Sequence, residues 1–246
     1  KSQQGMNALQ ANGDLQQLSW LIAMNQLETA PEKARGIFEG FVAQSAEDLG
    51  PDYVDLRSIG WAGLAELALR EGSTDDGLGL YRKSVDAFGR EKGRMAPWYV
   101  IVSGACLCAH VDAGSTEMSY LGMLVRRVRT RVLVSSRTRR EFMDMPVAGA
   151  ALIGLSAWLL SPALPAAAAA REIGLRLLFL AEAMGGRQDL PSLNRRKQMD
   201  AAVAAHGTAV VDAARASVAG LSPTDAFALA CELLTAPELR ELLAAR

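Results

Sequence analysis

Two histidines, three cysteines and a run of arginines are the residues of this chain whose spacing most directly tests for chemistry. Neither His110 nor His206 has a metal-ligand spacing. His110 falls near a helix end on a largely apolar face, which points to a core or capping side chain. Cys106 and Cys108 are two apart on an expected helix, so their side chains diverge by about 200° at about 3.6 residues per turn. They read as small buried hydrophobes rather than as half of a metal site. An odd cysteine count with no regular framework, Cys231 being the third, fits a reducing compartment, and a cytoplasmic location is expected. Asp75 and Asp76 open a helix, where acids suit the helix dipole. Glu71 and Glu66 are turn-spaced beside Arg70, which suits surface pairing. Gly77-Leu78-Gly79 falls inside a helix and is no dinucleotide loop. The sequence has no phosphate-cradling G-x-x-x-x-G-K-[S/T] stretch and no G-x-S-x-G nucleophile turn. Neither a catalytic residue nor a cofactor nor a metal is therefore expected, and the chain does not read as an enzyme.

The arginines fall at Arg126, Arg127, Arg129, Arg131, Arg137, Arg139 and Arg140, all within 15 residues. They read either as a basic patch for phosphate, nucleic acid or an acidic partner, or as a solvated helix face and loop. No aromatic residues interleave to stack bases. The net charge of −1 gives no global pull toward nucleic acid or anionic lipid. No recognition helix is evident, so this region alone is not expected to bind DNA specifically.

The elements that carry these residues are helical. Of the 246 residues, 50% are hydrophobic and 22% charged, enough for a sizeable core. Apolar residues recur at spacings of three and four, and period-two alternation is absent. The expectation is an all-α fold of about twelve helices in antiparallel pairs, with no sheet. Trp61, Leu64, Ala65 and Ala68 share one helical face, Gly72-Ser73-Thr74 breaks the pattern, and Leu78, Tyr81, Val85 and Phe88 mark the next helix. Trp61-x2-Leu64-Ala65-x2-Ala68 followed by Gly77-x3-Tyr81 follows the tetratricopeptide pattern, with small residues where helices touch and a bulky one beside them. Trp61 and Tyr81 are expected to be buried at one helix junction.

Upstream, Lys1 to Asn12 reads as the tail of a helix. Asp14 and Gln17 resemble a capping box, and Leu15, Leu18, Ile22 and Gln26 trace the face that follows. Pro31 restarts a helix in which Ala34-x3-Phe38 and then Phe41 repeat the small-x3-aromatic signal. Downstream, Pro97 begins a degenerate third pair, with Trp98, Val102, Ala105 and Ala109 on its first helix. Gly114-Ser115 ends that helix and caps the next, whose stripe is Leu121, Leu124, Val125, Val128 and Val132. Met145 to Ala170 has no charged residue, but Pro162 and Pro165 interrupt it. It reads as two buried helices, not a membrane span. Residues 1–246 are expected to form one helical-repeat domain, with a subdivision into repeat pairs over 1–134 and a carboxy-terminal helical part over 139–246.

Stacked helix pairs present a groove. The face opposite Trp61 and Leu64 comprises Ile59, Ala62, Glu66 and Arg70, and the pair before it offers Gln16, Ser19, Ala23 and Gln26. Gln16, Ser19, Gln26, Glu66, Arg70 and Trp98 are the candidate groove contacts. Two other uses are open. Trp158, Phe179 and Met184 could enclose an apolar pocket for a small-molecule effector, or the chain could be a scaffold that forms a homodimer.

Asp144-Met145-Pro146-Val147-Ala148-Gly149 begins a helix ending in Trp158-Leu159-Leu160. Arg176-Leu177-Leu178-Phe179-Leu180-Ala181-Glu182 and the turn Leu190-Pro191-Ser192-Leu193 follow. With the helix pairs upstream, this stretch resembles the carboxy-terminal tetratricopeptide-like helical region of SARP/AfsR-type regulators, the Streptomyces antibiotic regulatory protein family. The resemblance covers roughly Trp61 to Leu193. It departs at Gly185-Gly186, where family members often carry Tyr-Asn. It implies a regulatory domain of a transcriptional regulator, in a longer protein whose DNA-binding part lies elsewhere. The first residue, Lys1, fits a piece of a longer chain. The partners it implies are other domains of the same regulator, or a protein or peptide.

Overall fold

The computed structural model describes residues 18–45, 53–89, 97–136, 144–164 and 168–244. Gln16, the Asp14 capping box, the Lys1–Asn12 tail, and Arg137, Arg139 and Arg140 lie outside those residues. The fold is all-α, built from neighbouring helices packed on one another as in a helical repeat, and no strand occurs among the described residues. Residues 18–26 form α1. Among the described residues eleven further helices follow, with a 3-10 turn at Pro191–Leu193. No helix among the described residues is long and apolar enough to cross a membrane.

The chain divides into two compact units, Lys1–Arg94 and Met95–Arg246. This boundary falls before the 134–139 subdivision read from the sequence. The helix ending at Ser135 packs with helices on both sides of it in the second unit.

In the first unit, α2 (Pro31–Ala43), α3 (Tyr53–Arg70) and α4 (Thr74–Gly89) form three layers with α3 in the middle. Pro31 occupies the first turn of α2, where a missing N–H costs nothing. Ala34, Phe38 and Phe41 are buried as their spacing predicts. Phe38 fills the notch over two glycines of α3. A Cβ on Gly63 would come within 2.4 Å of its ring, and one on Gly60 within 2.9 Å of its carbonyl oxygen. Between α3 and α4, the Ser58 hydroxyl donates to the Ser84 carbonyl at 2.9 Å and the Ser84 hydroxyl to the Ser58 carbonyl at 2.7 Å, which brings the two hydroxyl oxygens to 2.8 Å. Gly72 ends α3 with φ +83°. There the Ser73 amide donates to the Ala68 carbonyl and the Gly72 amide to that of Leu69, a Schellman turn that reverses the chain into α4.

The middle position of α3 corrects two expectations. Tyr81 is fully buried, but Trp61 is only half-buried, with Lys83 Nζ 5.2 Å above its ring. The face read as opposite the core is itself core, with Ile59 1% and Ala62 0% exposed. A helix flanked by two others is buried on two faces, so a single stripe does not mark its inner side. The α1 face is likewise rotated. Leu18 and Ile22 are exposed, and Ala23 and Leu27 are the buried pair.

The second unit is centred on α5 (Pro97–Asp112), α7 (Met145–Leu159) and α8 (Ala168–Ala183). Helix α6 (Met118–Ser135) lies beside α5 and α7, and its stripe Leu121, Leu124, Val125, Val128 and Val132 is buried as expected. The main partner of α5 is α7 and not α6, which is why α5 is buried from Tyr99 through His110 instead of along one stripe. Ser115 does not cap α6 directly; its hydroxyl accepts from the Glu117 amide two residues on. His110 is a core residue, with Tyr120 at 5.5 Å between ring centroids. Cys106 and Cys108 are fully buried, and Cys106 Sγ lies 3.7 Å from the Tyr120 hydroxyl. Helices α9 (Arg195–His206), α10 (Thr208–Ala216), α11 (Pro223–Leu234) and α12 (Pro237–Ala244) complete the unit.

Candidate binding groove

A cleft of about 450 Å³ opens on the first unit. Helix α2 contributes Arg35 and Glu39, α3 contributes Leu64 and Ala68, and α4 contributes Gly79, Leu80 and Lys83. Glu71, Ser73, Asp75 and Asp76 complete the lining. The floor of Leu64, Ala68 and Leu80 is apolar and the rim is charged. Arg35 pairs with Glu71 across the cleft and lies 3.9 Å from Glu32. These side chains are partly exposed, so the pairing contributes at most about 1 kcal/mol. Among the described residues no cation pairs with Glu39, Asp75 or Asp76.

Gly77 and Gly79, near the start of α4, differ in a way that bears on the cleft. Gly77 is required by packing: a Cβ there would approach Leu69 Cγ at 2.6 Å. A Cβ at Gly79 would meet nothing within 4 Å. A helix-interior glycine is less stable than alanine by about 0.5–1 kcal/mol. At Gly79 no helix contact offsets that cost; a Cβ there would stand in open space, as at Gly36 and Gly40 of α2, and of these three Gly79 lines the cleft.

The structure places the groove candidates elsewhere. Glu66 is buried and accepts a hydrogen bond from the Tyr81 hydroxyl, so it is not a groove contact. Arg70 Nη1 donates to the carbonyls of Leu27 and Glu28 at 2.8 and 2.9 Å. Those oxygens lie in the turn that follows α1, where a cation suits the acceptors beyond a helix end. Ser19 and Gln26, on α1, are half-buried and do not line the cleft. Trp98 belongs to the second unit, half-buried, with the Arg187 guanidinium 5.0 Å from its ring. Arg187 in turn makes two hydrogen bonds to the Asp189 carboxylate, at 2.7 and 2.8 Å, which raises its pKa further against the opposing effect of burial. The cleft lies instead over Leu64 and Ala68, on the stripe the sequence assigned to the core. No sequence signal marked it, since glycines recur inside the helices of this chain.

Within the arginine run, two side chains have structural roles. Arg126 Nη1 donates to the Leu243 carbonyl at 3.0 Å and Arg129 Nε to that of Leu234. These oxygens lie at the ends of α12 and α11, so α6 caps both helices from the side. Burial and the charge of Arg240 lower the Arg129 pKa. Arg131 lies 5.6 Å over the Tyr99 ring, and Arg127 is exposed. Burial raises the Tyr99 pKa although both arginines oppose it. Replacing Arg126 and Arg129 together by Ala should destabilise the chain by about 2 kcal/mol. Urea midpoints would measure this, and a loss below about 0.5 kcal/mol would mean that water satisfies the carbonyls equally well.

The set proposed for an apolar pocket is closely packed: Trp158 is 0%, Phe179 2% and Met184 2% exposed. The motifs around Asp144 and Gly185 touch. The Asp144 carboxylate accepts from the Val147 amide at 2.8 Å and caps α7. Gly185 has φ +63° and closes α8 in a Schellman turn, the Gly186 amide donating to the Ala181 carbonyl. A Cβ on Gly149 would lie 2.5 Å from Gly186 Cα, so these glycines allow two backbones to meet. No group of three His, Cys, Asp or Glu side chains among the described residues could hold a metal ion. Comparison of the chain with protein-family models, with curated proteins and with solved structures found no match.

Proposed function

We propose that the chain is an interaction module that binds a segment of a protein partner in the cleft of its first unit. In the setting implied by the resemblance around Asp144 to Leu193, that binding controls a transcriptional regulator of the SARP type. The partner is then another domain of the regulator or a separate protein. Control requires that the partner bind two states of the regulator unequally. The observation that carries the reading is Gly79, a helix-interior glycine whose side-chain space is empty and opens into a cleft with an apolar floor and a charged rim.

Two substitutions at Gly79 test it. Gly79→Ala should raise stability by about 0.5–1 kcal/mol and leave the cleft open. Gly79→Trp should keep the fold and fill the cleft. Introduced into the chromosomal gene, Gly79→Trp should reproduce the transcriptional effect of deleting residues 1–246, with protein level and melting temperature maintained. A Gly79→Trp strain that behaves as the parent, while the deletion strain does not, would place the binding surface elsewhere.

A further inference from the structure

We infer that the segment received by the cleft presents a lysine or arginine side chain, its aliphatic stem on the apolar floor and its cation at the rim. This rests on the cleft being the binding surface. The cleft holds four carboxylates, Glu39, Glu71, Asp75 and Asp76, against two cations, Arg35 and Lys83. Arg35 is already paired with Glu71, and Lys83 lies over Trp61. The excess negative charge therefore sits at Glu39, Asp75 and Asp76. The amino terminus of α4 adds only about half a positive charge beside Asp75 and Asp76, too little to offset both.

Shape and charge select the same group. Leu64, Ala68 and Leu80 offer an apolar floor, and the space at Gly79 admits a long side chain between that floor and the acids of the preceding turn. Lysine and arginine are the side chains that bury an alkyl stem while holding a charge at the edge. An acidic segment or a nucleic acid backbone would meet like charge at the rim.

The test uses the intact chain and short acetylated, amidated alanine–leucine peptides with a central Arg, Lys, norleucine or Glu, followed by fluorescence anisotropy. Spermidine serves as a cation without a peptide. The Arg peptide should bind about tenfold or more tighter than the norleucine peptide, weaken with added salt, and exceed the Glu peptide by more. Asp75→Asn with Asp76→Asn should remove most of the Arg preference and leave norleucine binding unchanged. Gly79→Trp should abolish binding of every peptide.

Equal binding of the Arg and norleucine peptides, or an Arg preference that survives the double substitution, would overturn the basic occupant while leaving the cleft reading intact. Peptide binding indifferent to Gly79→Trp would overturn the cleft reading itself. Failure of the Arg peptide to bind at millimolar concentration would overturn the basic occupant, as would competition by spermidine at equal potency, which would point to a free polyamine.

Discussion

Truncation of Trp158 to Ala should destabilise the second unit by about 3–5 kcal/mol, the range for deleting a large, fully enclosed aromatic. Trp158 is 0% exposed, on a helix whose residues from Val147 through Leu159 are all buried. Its removal would leave a void that the packed helices α5 and α8 cannot close without separating from α7. One feature offsets part of the loss: the indole Nε1 is buried with no acceptor among the described residues. Leaving a donor unpaired costs about 1–3 kcal/mol. Trp158→Phe, which removes that donor and keeps most of the ring, should therefore cost clearly less than Trp158→Ala. The half-buried Trp61 sets the contrast, since Trp61→Ala should cost only about 1–2 kcal/mol. Equal losses at Trp61 and Trp158 in urea titrations would show that the burial difference between them does not hold in solution.

That contrast marks what was legible in the sequence. Periods of three and four gave the helical class and placed Ala34, Phe38, Tyr81 and the α6 stripe correctly inside; α2 and α4 each pack mainly on α3, and the partners of α6 all lie on its one apolar side. The same periodicity misassigned α3. Trp61, Leu64 and Ala68 are one stripe and Ile59, Ala62 and Glu66 another, and the middle helix of three buries most of both. A one-dimensional pattern does not say how many neighbours a helix has. Large residues drew the reading toward Trp61, although the closest approach is made by Gly60 and Gly63 under Phe38.

The site was harder to read for a related reason. Glu66 and Arg70 look like a turn-spaced surface pair, yet one is tied to a buried hydroxyl and the other to the end of a distant helix. Arg126 and Arg129 likewise look like part of a basic patch and cap helices more than 100 residues away. Long polar side chains take their roles from partners remote in sequence, and no local spacing reports those. Gly77 and Gly79 read alike in the sequence, as glycines inside a helix, and only the structure separates the open position from the closely packed one.

Glycine-to-alanine substitutions turn this distinction into the second large expected effect. At Gly154, in α7, an added Cβ would lie 2.5 Å from Gly104 Cα and 2.6 Å from its carbonyl oxygen. At Gly104 a Cβ would lie 2.7 Å from the Ala150 carbonyl oxygen. Here α5 and α7 meet backbone to backbone, and neither has a flexible side chain that can yield. Gly154→Ala should destabilise the second unit by about 3 kcal/mol, because the helices must part and loosen the core around them. The intrinsic gain of alanine over glycine in a helix, about 1 kcal/mol, is too small to compensate. Gly63→Ala should fall between the extremes, since the group it meets is the Phe38 ring, which can shift where a backbone cannot. Gly79→Ala should be stabilising. The same methyl group thus changes sign with position, in the order Gly154, Gly63, Gly79 from most to least harmful. Denaturant midpoints for the three variants decide the matter: a stabilised Gly154→Ala would mean that α5 and α7 do not touch at Gly104, and the centre of the second unit would have to be packed differently.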